Sequence, residues 1–174
     1  MATGKKAGRV SAAKRFAAIE RISIFGITER MGPIGLHMYA ERFLAAARSL
    51  PPGTVPFEPV RPYLVCHSIE LGLKAFLSVQ GTAMLELAEG SYGHNLEAIL
   101  QKADDNGLSA SVRLTAAQRS AIRLATIYYS GKVFEYPAVG EAMSGYPSMP
   151  SLETLLEAAV TLVDSLRQQC LEAK

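Results

Sequence analysis

Tyr63-Leu-Val-Cys-His67-Ser-Ile-Glu70-Leu-Gly-Leu-Lys74-Ala-Phe-Leu77 is the stretch that decides the fold. Wound at 3.6 residues per turn, Leu64, Ile69, Leu71, Leu73, Phe76 and Leu77 fall nearly all round the helix rather than on one stripe. Such a helix has to be enclosed. The run is broken by Lys74 and falls short of the roughly 20 apolar residues that a bilayer span requires. The expectation is therefore a central, buried helix from Tyr63 to about Val79, stopped by Gly81.

Working outward, Pro51, Pro52, Pro56, Pro59 and Pro62 mark an extended crossing loop before it, since proline fixes φ and cannot donate. Upstream, Pro33 fits the first turn of a helix running to Leu50, with Leu36, Tyr39, Phe43, Leu44 and Ala47 at helical spacing. Ser11 caps a shorter helix from Ala12 to about Ile24, and residues 1–14 read as a flexible basic arm. Downstream, Ala83–Ala88 is a short piece, and His94 or Asn95 opens a helix that ends at Asn106-Gly107. Thr115 and Gln118 have the spacing of a capping box for a helix through Tyr129. Val133–Ser148 is irregular, and Ser151 caps a last helix with Leu152, Leu155, Leu156, Ala159, Val163 and Leu166 as its stripe. The sum is an all-α, up-and-down bundle of four to five helices in one domain, residues 15–174.

Composition sets the outer limits. The chain has 174 residues, 49% of them apolar and 20% charged, enough for one core and too apolar for disorder. Lys5, Lys6, Arg9, Lys14 and Arg15 precede no clean apolar core of a signal peptide, so a cytoplasmic protein without membrane contact is expected. Cys66 and Cys170 are far apart, and His37, His67 and His94 are scattered, which suits neither a metal site nor a disulfide scaffold. No metal or cofactor is expected. Residues 1–50 carry nine Lys/Arg against three Glu, and residues 51–174 carry nine against thirteen acids. That asymmetry fits either an arm that meets nucleic acid or an acidic partner, or the chance composition of a terminus.

Three groups of residues bear on chemistry. His67, Glu70 and Lys74 share one face of the central helix, and Glu70 before Lys74 is the favourable order for an ion pair. They form either a polar strip facing a cleft, with His67 as acid or base, or a pair at the bundle edge. Gly93-His94-Asn95-Leu96-Glu97 precedes a helix, where free N–H groups bind an anion or a side chain caps the turn. Arg119 and Arg123, four apart and followed by Tyr128 and Tyr129, suit phosphate contacts and base stacking, or equally a surface over core tyrosines. There is no nucleophile elbow, phosphate loop or dinucleotide fingerprint.

The central-helix motif, then Gly93-His94-Asn95-Leu96-Glu97-Ala-Ile-Leu100, resembles the HEPN superfamily, whose members often show H-x-x-E-x-x-x-K-A followed by G-H-D/N-L-x-x-L. The segment Tyr128-Tyr129-x-x-Lys132-x-Phe134-Glu135-Tyr136-Pro137 also looks like the loop before the last helix in many relatives, and the likeness covers residues 33–166. The resemblance implies a HEPN-like bundle that commonly forms a homodimer. Many members are metal-independent ribonucleases of toxin–antitoxin or phage-defence systems, and others bind nucleotides or act as scaffolds. Active members carry Arg-x4-6-His on a late helix, where arginine stabilises phosphate charge and histidine moves a proton.

This chain reads Arg123-x4-Tyr128 there, and a tyrosine is a poor base at neutral pH. Arg61-x5-His67 has the spacing, but Pro62 puts Arg61 at a helix start, on another helix. The resemblance thus implies binding of RNA or a nucleotide without efficient nuclease activity. Arg119, Arg123 and Tyr128 would line a cleft supported by His67, Glu70, Lys74 and His94. The alternatives are an endoribonuclease using Arg61 with His67 or Arg123 with Tyr128, or a non-catalytic scaffold for an antitoxin or another protein.

Overall fold

The computed structural model describes residues 32–173 except 52, 54–57 and 89–91, and the side chains of 141 and 142 are left aside. The basic arm, the helix expected from Ala12 and the Gly90-Ser91 pair lie outside the described residues. Among the described residues all regular structure is helical. The helices are α1 (Pro33–Ser49), α2 (Val60–Val79), α3 (Met84–Ala88), α4 (Leu96–Asp105), α5 (Leu108–Ser111), α6 (Ala116–Ser130), α7 (Val139–Ser144) and α8 (Leu152–Glu172). None of them is long and apolar enough to cross a membrane.

The boundaries follow local chemistry. Pro33 occupies the first turn of α1, where a missing N–H leaves nothing unpaired. Asn95 Oδ1 accepts from Ala98 N at 3.0 Å to start α4, and Gly107, at φ +85°, turns the chain after it. Thr115 and Gln118 form the reciprocal capping box of α6, with bonds of 2.9 and 3.1 Å.

Three boundaries depart from expectation. The central helix α2 starts at Val60 rather than Tyr63, because the Glu58 carboxylate accepts from both Val60 N (3.0 Å) and Arg61 N (3.1 Å). Pro62 then sits in the first turn, where it forfeits no helical bond. Ser151 stands at the head of α8 but its side chain makes no capping bond. The segment expected to be irregular contains the short α7.

Helix α2 is the hub, touching α1, α4, α6 and α8, while α8 also packs on α1 and α6. Thirteen of its residues are buried, with Ile69, Leu73, Phe76 and Leu77 among the largest side chains of the core. Ala40 and Ala47 let α1 lie close along it, and two polar clamps fix the contact. Ser68 Oγ donates to Ala40 O (2.8 Å), and His37 Nε2 donates to Val163 O (2.7 Å), tying α1 to α2 and to α8. The free thiols Cys66 and Cys170 are buried too, and burial pushes Cys170 up to about 11.

Ile69→Ala, at the fully buried centre of α2, is expected to cost about 2–5 kcal/mol. Urea denaturation should show one cooperative transition at a lower midpoint. An unmoved midpoint would mean that α2 is not the centre of the core.

Candidate functional site

At offsets of three and seven residues, His67, Glu70 and Lys74 present their side chains on one face of α2. Two other elements close over that face. The turn ahead of α4 supplies Gly93 and His94, and the last turn of α6 supplies Tyr129. Both are held in register with each other. Thr126 Oγ1 accepts from Glu97 N (2.9 Å), and Arg119 Nη1 reaches both Asp104 oxygens at 2.5–2.6 Å.

The Glu70 carboxylate, 3% exposed, is the centre. Its Oε1 accepts from Lys74 Nζ at 2.5 Å, and the same ammonium donates to Gly93 O at 2.9 Å. Its Oε2 accepts from Tyr129 Oη–H at 2.6 Å and from His94 Nδ1 at 3.0 Å. His67 Nδ1 lies 2.6 Å from Tyr129 Oη and 3.6 Å from Oε2. Burial alone would raise the Glu70 pKa, but the contacts from His67 and His94 and the Lys74 ammonium outweigh it and hold the carboxyl well below its ordinary range. Burial, then the charge and hydrogen bond of Glu70, push the Tyr129 phenol far up, so it keeps its proton.

These facts assign the hydrogens. The single Tyr129 proton goes to Glu70, so the short contact with His67 must use an Nδ1–H on the imidazole. His94 likewise points Nδ1–H at the carboxylate. Both rings thereby turn Nε2 away from Glu70. The His67 ring is further fixed by Phe43, edge-on at 4.4 Å, and by Tyr63, parallel within 9° at 5.9 Å. The hydrogen bond to Glu70 raises the His94 pKa, against partial burial and the nearby charges of Lys74 and Lys132.

The backbone of Lys132 is unusual as well. It adopts φ +56°, a left-handed conformation that costs a non-glycine residue about 1 kcal/mol or more. Gly131 before it has no room for a side chain, since a Cβ would lie 2.7 Å from Ile127 O.

Of the residues singled out from sequence, His67, Glu70, Lys74 and His94 therefore meet. The others do not join them. Arg119 is engaged with Asp104. Arg123 is exposed on the side of α6 that carries Leu124 and Ile127. Tyr128 is buried against Phe134 and Tyr146, and its Oη accepts from Ser148 N (3.0 Å). Arg61 Nε donates to Ala47 O (3.0 Å), closing the end of α1, and lines a separate cavity of about 500 Å³ with Arg48, Glu153 and Glu157. At the head of α4 the cap, rather than an anion site, is what forms: Asn95 and Thr126 take the N–H groups of Ala98 and Glu97. Tyr129, Tyr63 and Lys132 were not among the expected site residues. Tyr129 stands one position, or 100°, from the tyrosine the motif picked out.

Among the described residues no group of three or more His, Cys, Asp or Glu is arranged to hold a metal ion. Compared with family models, with curated proteins and with solved structures, the chain matches none.

Glu70→Ala leaves the Lys74 ammonium, 7% exposed, without its counter-ion. Breaking a buried pair in this way costs about 3–5 kcal/mol. Chemical denaturation should register it, and a midpoint equal to the parent's would mean that water already screens the cluster. The shifted groups also set the pH dependence of stability. Glu70 contributes above its ordinary 4.5, and that contribution is lost only as pH falls through its depressed value. His94 contributes fully below 6.5, and its share fades as pH rises through its raised value. The thermal midpoint is expected to decline on the alkaline side of 6.5, and His94→Gln to flatten that limb; an unchanged limb would show that His94 does not supply it.

Proposed function

We propose that this is a HEPN-like helical protein that binds RNA or a nucleotide through its phosphate, without efficient nuclease activity. One observation carries the reading: a buried carboxylate holds His94 directly by Nδ1 and His67 through the Tyr129 hydroxyl, which turns both Nε2 atoms away from it. The Lys74 charge already cancels that of Glu70, so a protonated His94, with Lys132 near it, leaves the mouth of the site positive. Tyr63, stacked beside His67, adds an aromatic face of the kind single-stranded nucleic acid uses. Weak catalysis follows from the arginines. Of the arginines singled out above, Arg119 and Arg61 are committed to contacts of their own and Arg123 lies off the cluster, so none of these three stands ready to stabilise charge on a phosphate. The dimer, an antitoxin-like partner and a cytoplasmic setting belong to the same reading through the family resemblance.

A second reading, a metal-independent endoribonuclease, is favoured by the same two imidazoles, which could serve as base and acid. The experiment separates them. Fluorescence anisotropy at low salt is expected to show binding of short single-stranded RNA, weakened about tenfold by Lys132→Ala together with His94→Ala and unaffected by Arg123→Ala. Affinity should fall as pH rises through the raised His94 pKa, because the imidazolium is lost. Absence of binding at low salt would end the reading. Cleavage of the RNA that His67→Ala abolishes would replace it with the second.

A further inference from the structure

Beside the imidazole cluster lies a smaller cavity of about 150 Å³, walled by Pro59, Val60, Tyr63, Phe134 and Glu135. We propose that it is a nucleobase pocket that selects an amino-bearing base, cytosine over uracil, with Glu135 as the selecting group. The proposal rests on the nucleic-acid reading above and names the ligand class for it.

Size comes first. A surface cleft of this volume has room for about one six-membered ring. Four of the five lining residues are apolar or aromatic, and the fifth is Glu135. A pyrimidine has the matching shape, a flat ring with polar atoms confined to its edge.

Position comes second. Tyr63 belongs to both sites. Its ring lines the cavity, lies parallel to His67, and stands 5.7 Å from Tyr129. A nucleotide whose phosphate meets the Nε2–H of a protonated His94, packed on Tyr129 at 5.4 Å, would have its base within reach of the neighbouring Tyr63. Tyr63 offers an aromatic ring for stacking, which every base satisfies. Discrimination has to come from elsewhere.

The carboxylate supplies it. An ionised Glu135 only accepts hydrogen bonds. Cytosine offers the N4 amino group as a donor, a pairing that glutamate makes well. Uracil presents the O4 acceptor at the same place, so two acceptors would face each other and one would be left unpaired. Lys132 Nζ, 4.0 Å from Glu135 Oε2, tempers the negative charge that would otherwise repel a phosphodiester nearby.

The wall is also firmly built. After the Gly131 turn, Val133 N donates to Tyr128 O (2.9 Å), and Glu135 N and Tyr136 N both donate to Lys132 O (3.0 and 2.8 Å). Phe134 is backed by Tyr128, stacked at 6.1 Å, and by Tyr146, edge-on at 5.3 Å. The left-handed Lys132 backbone is thus held in place by the turn that presents Glu135.

The test uses the full chain and two labelled RNA oligomers of equal length, oligocytidylate and oligouridylate, read by anisotropy. The expected result is about tenfold tighter binding of oligocytidylate. Glu135→Gln, at an exposed position, should erase the difference chiefly by raising the affinity for oligouridylate, since an amide both donates and accepts. Equal affinities in the parent, or a preference that survives Glu135→Gln, would overturn the pocket while leaving nucleic-acid binding intact. Failure to bind either oligomer would overturn both.

Discussion

A carboxylate shut away from water stays ionised only if its surroundings replace the water. Glu70 meets that demand with an ammonium, a phenol and two imidazoles drawn from three separate elements. The demand propagates outward. Lys74 must also satisfy a backbone carbonyl of the turn before α4, and Tyr129 must be delivered at the end of α6, so the packing of α2, α4 and α6 is bound to one side chain. A buried ionic cluster gives a bundle little stability that leucines would not give. Its presence in an otherwise apolar helix is better understood through what it does to the rings it holds.

That division of labour runs through the polar residues generally. The arginines, which charge and spacing make the natural candidates for a phosphate contact, serve as staples: Arg119 joins α6 to α4, and Arg61 closes α1. The histidines divide in the same way. His37 is a structural clamp inside the core, whereas His67 and His94 sit at the edge of solvent with one nitrogen committed inward. Burial and partner, rather than residue type, decide the role.

Much of the frame was legible in the chain because helix ends are written locally. Pro33, Asn95, Gly107 and the Thr115–Gln118 box act within one turn of their own positions, and the all-round apolarity of the 63–77 stretch foretold a central helix. Where the reading missed, the deciding contact was less visible. Glu58 extends α2 backwards by reaching two amides from beyond the proline that seemed to bar it. Half of the site was foreseeable, since the offsets of His67, Glu70 and Lys74 place them together on any helix. Tyr129 was not, because both it and Tyr128 face inward and only the neighbours of α6 determine which one meets Glu70. The pairing of Arg119 with Asp104, fifteen residues earlier, was equally hidden.

Tyr63 stands between the imidazole of His67 and the cavity beside Phe134, one ring with a neighbour on each side. A shared wall of this kind removes independence. Any change of bulk or tilt at that position reaches two compartments at once. Glu135 is no independent handle either, since its carboxylate lies 4.0 Å from Lys132 Nζ beside the imidazole cluster.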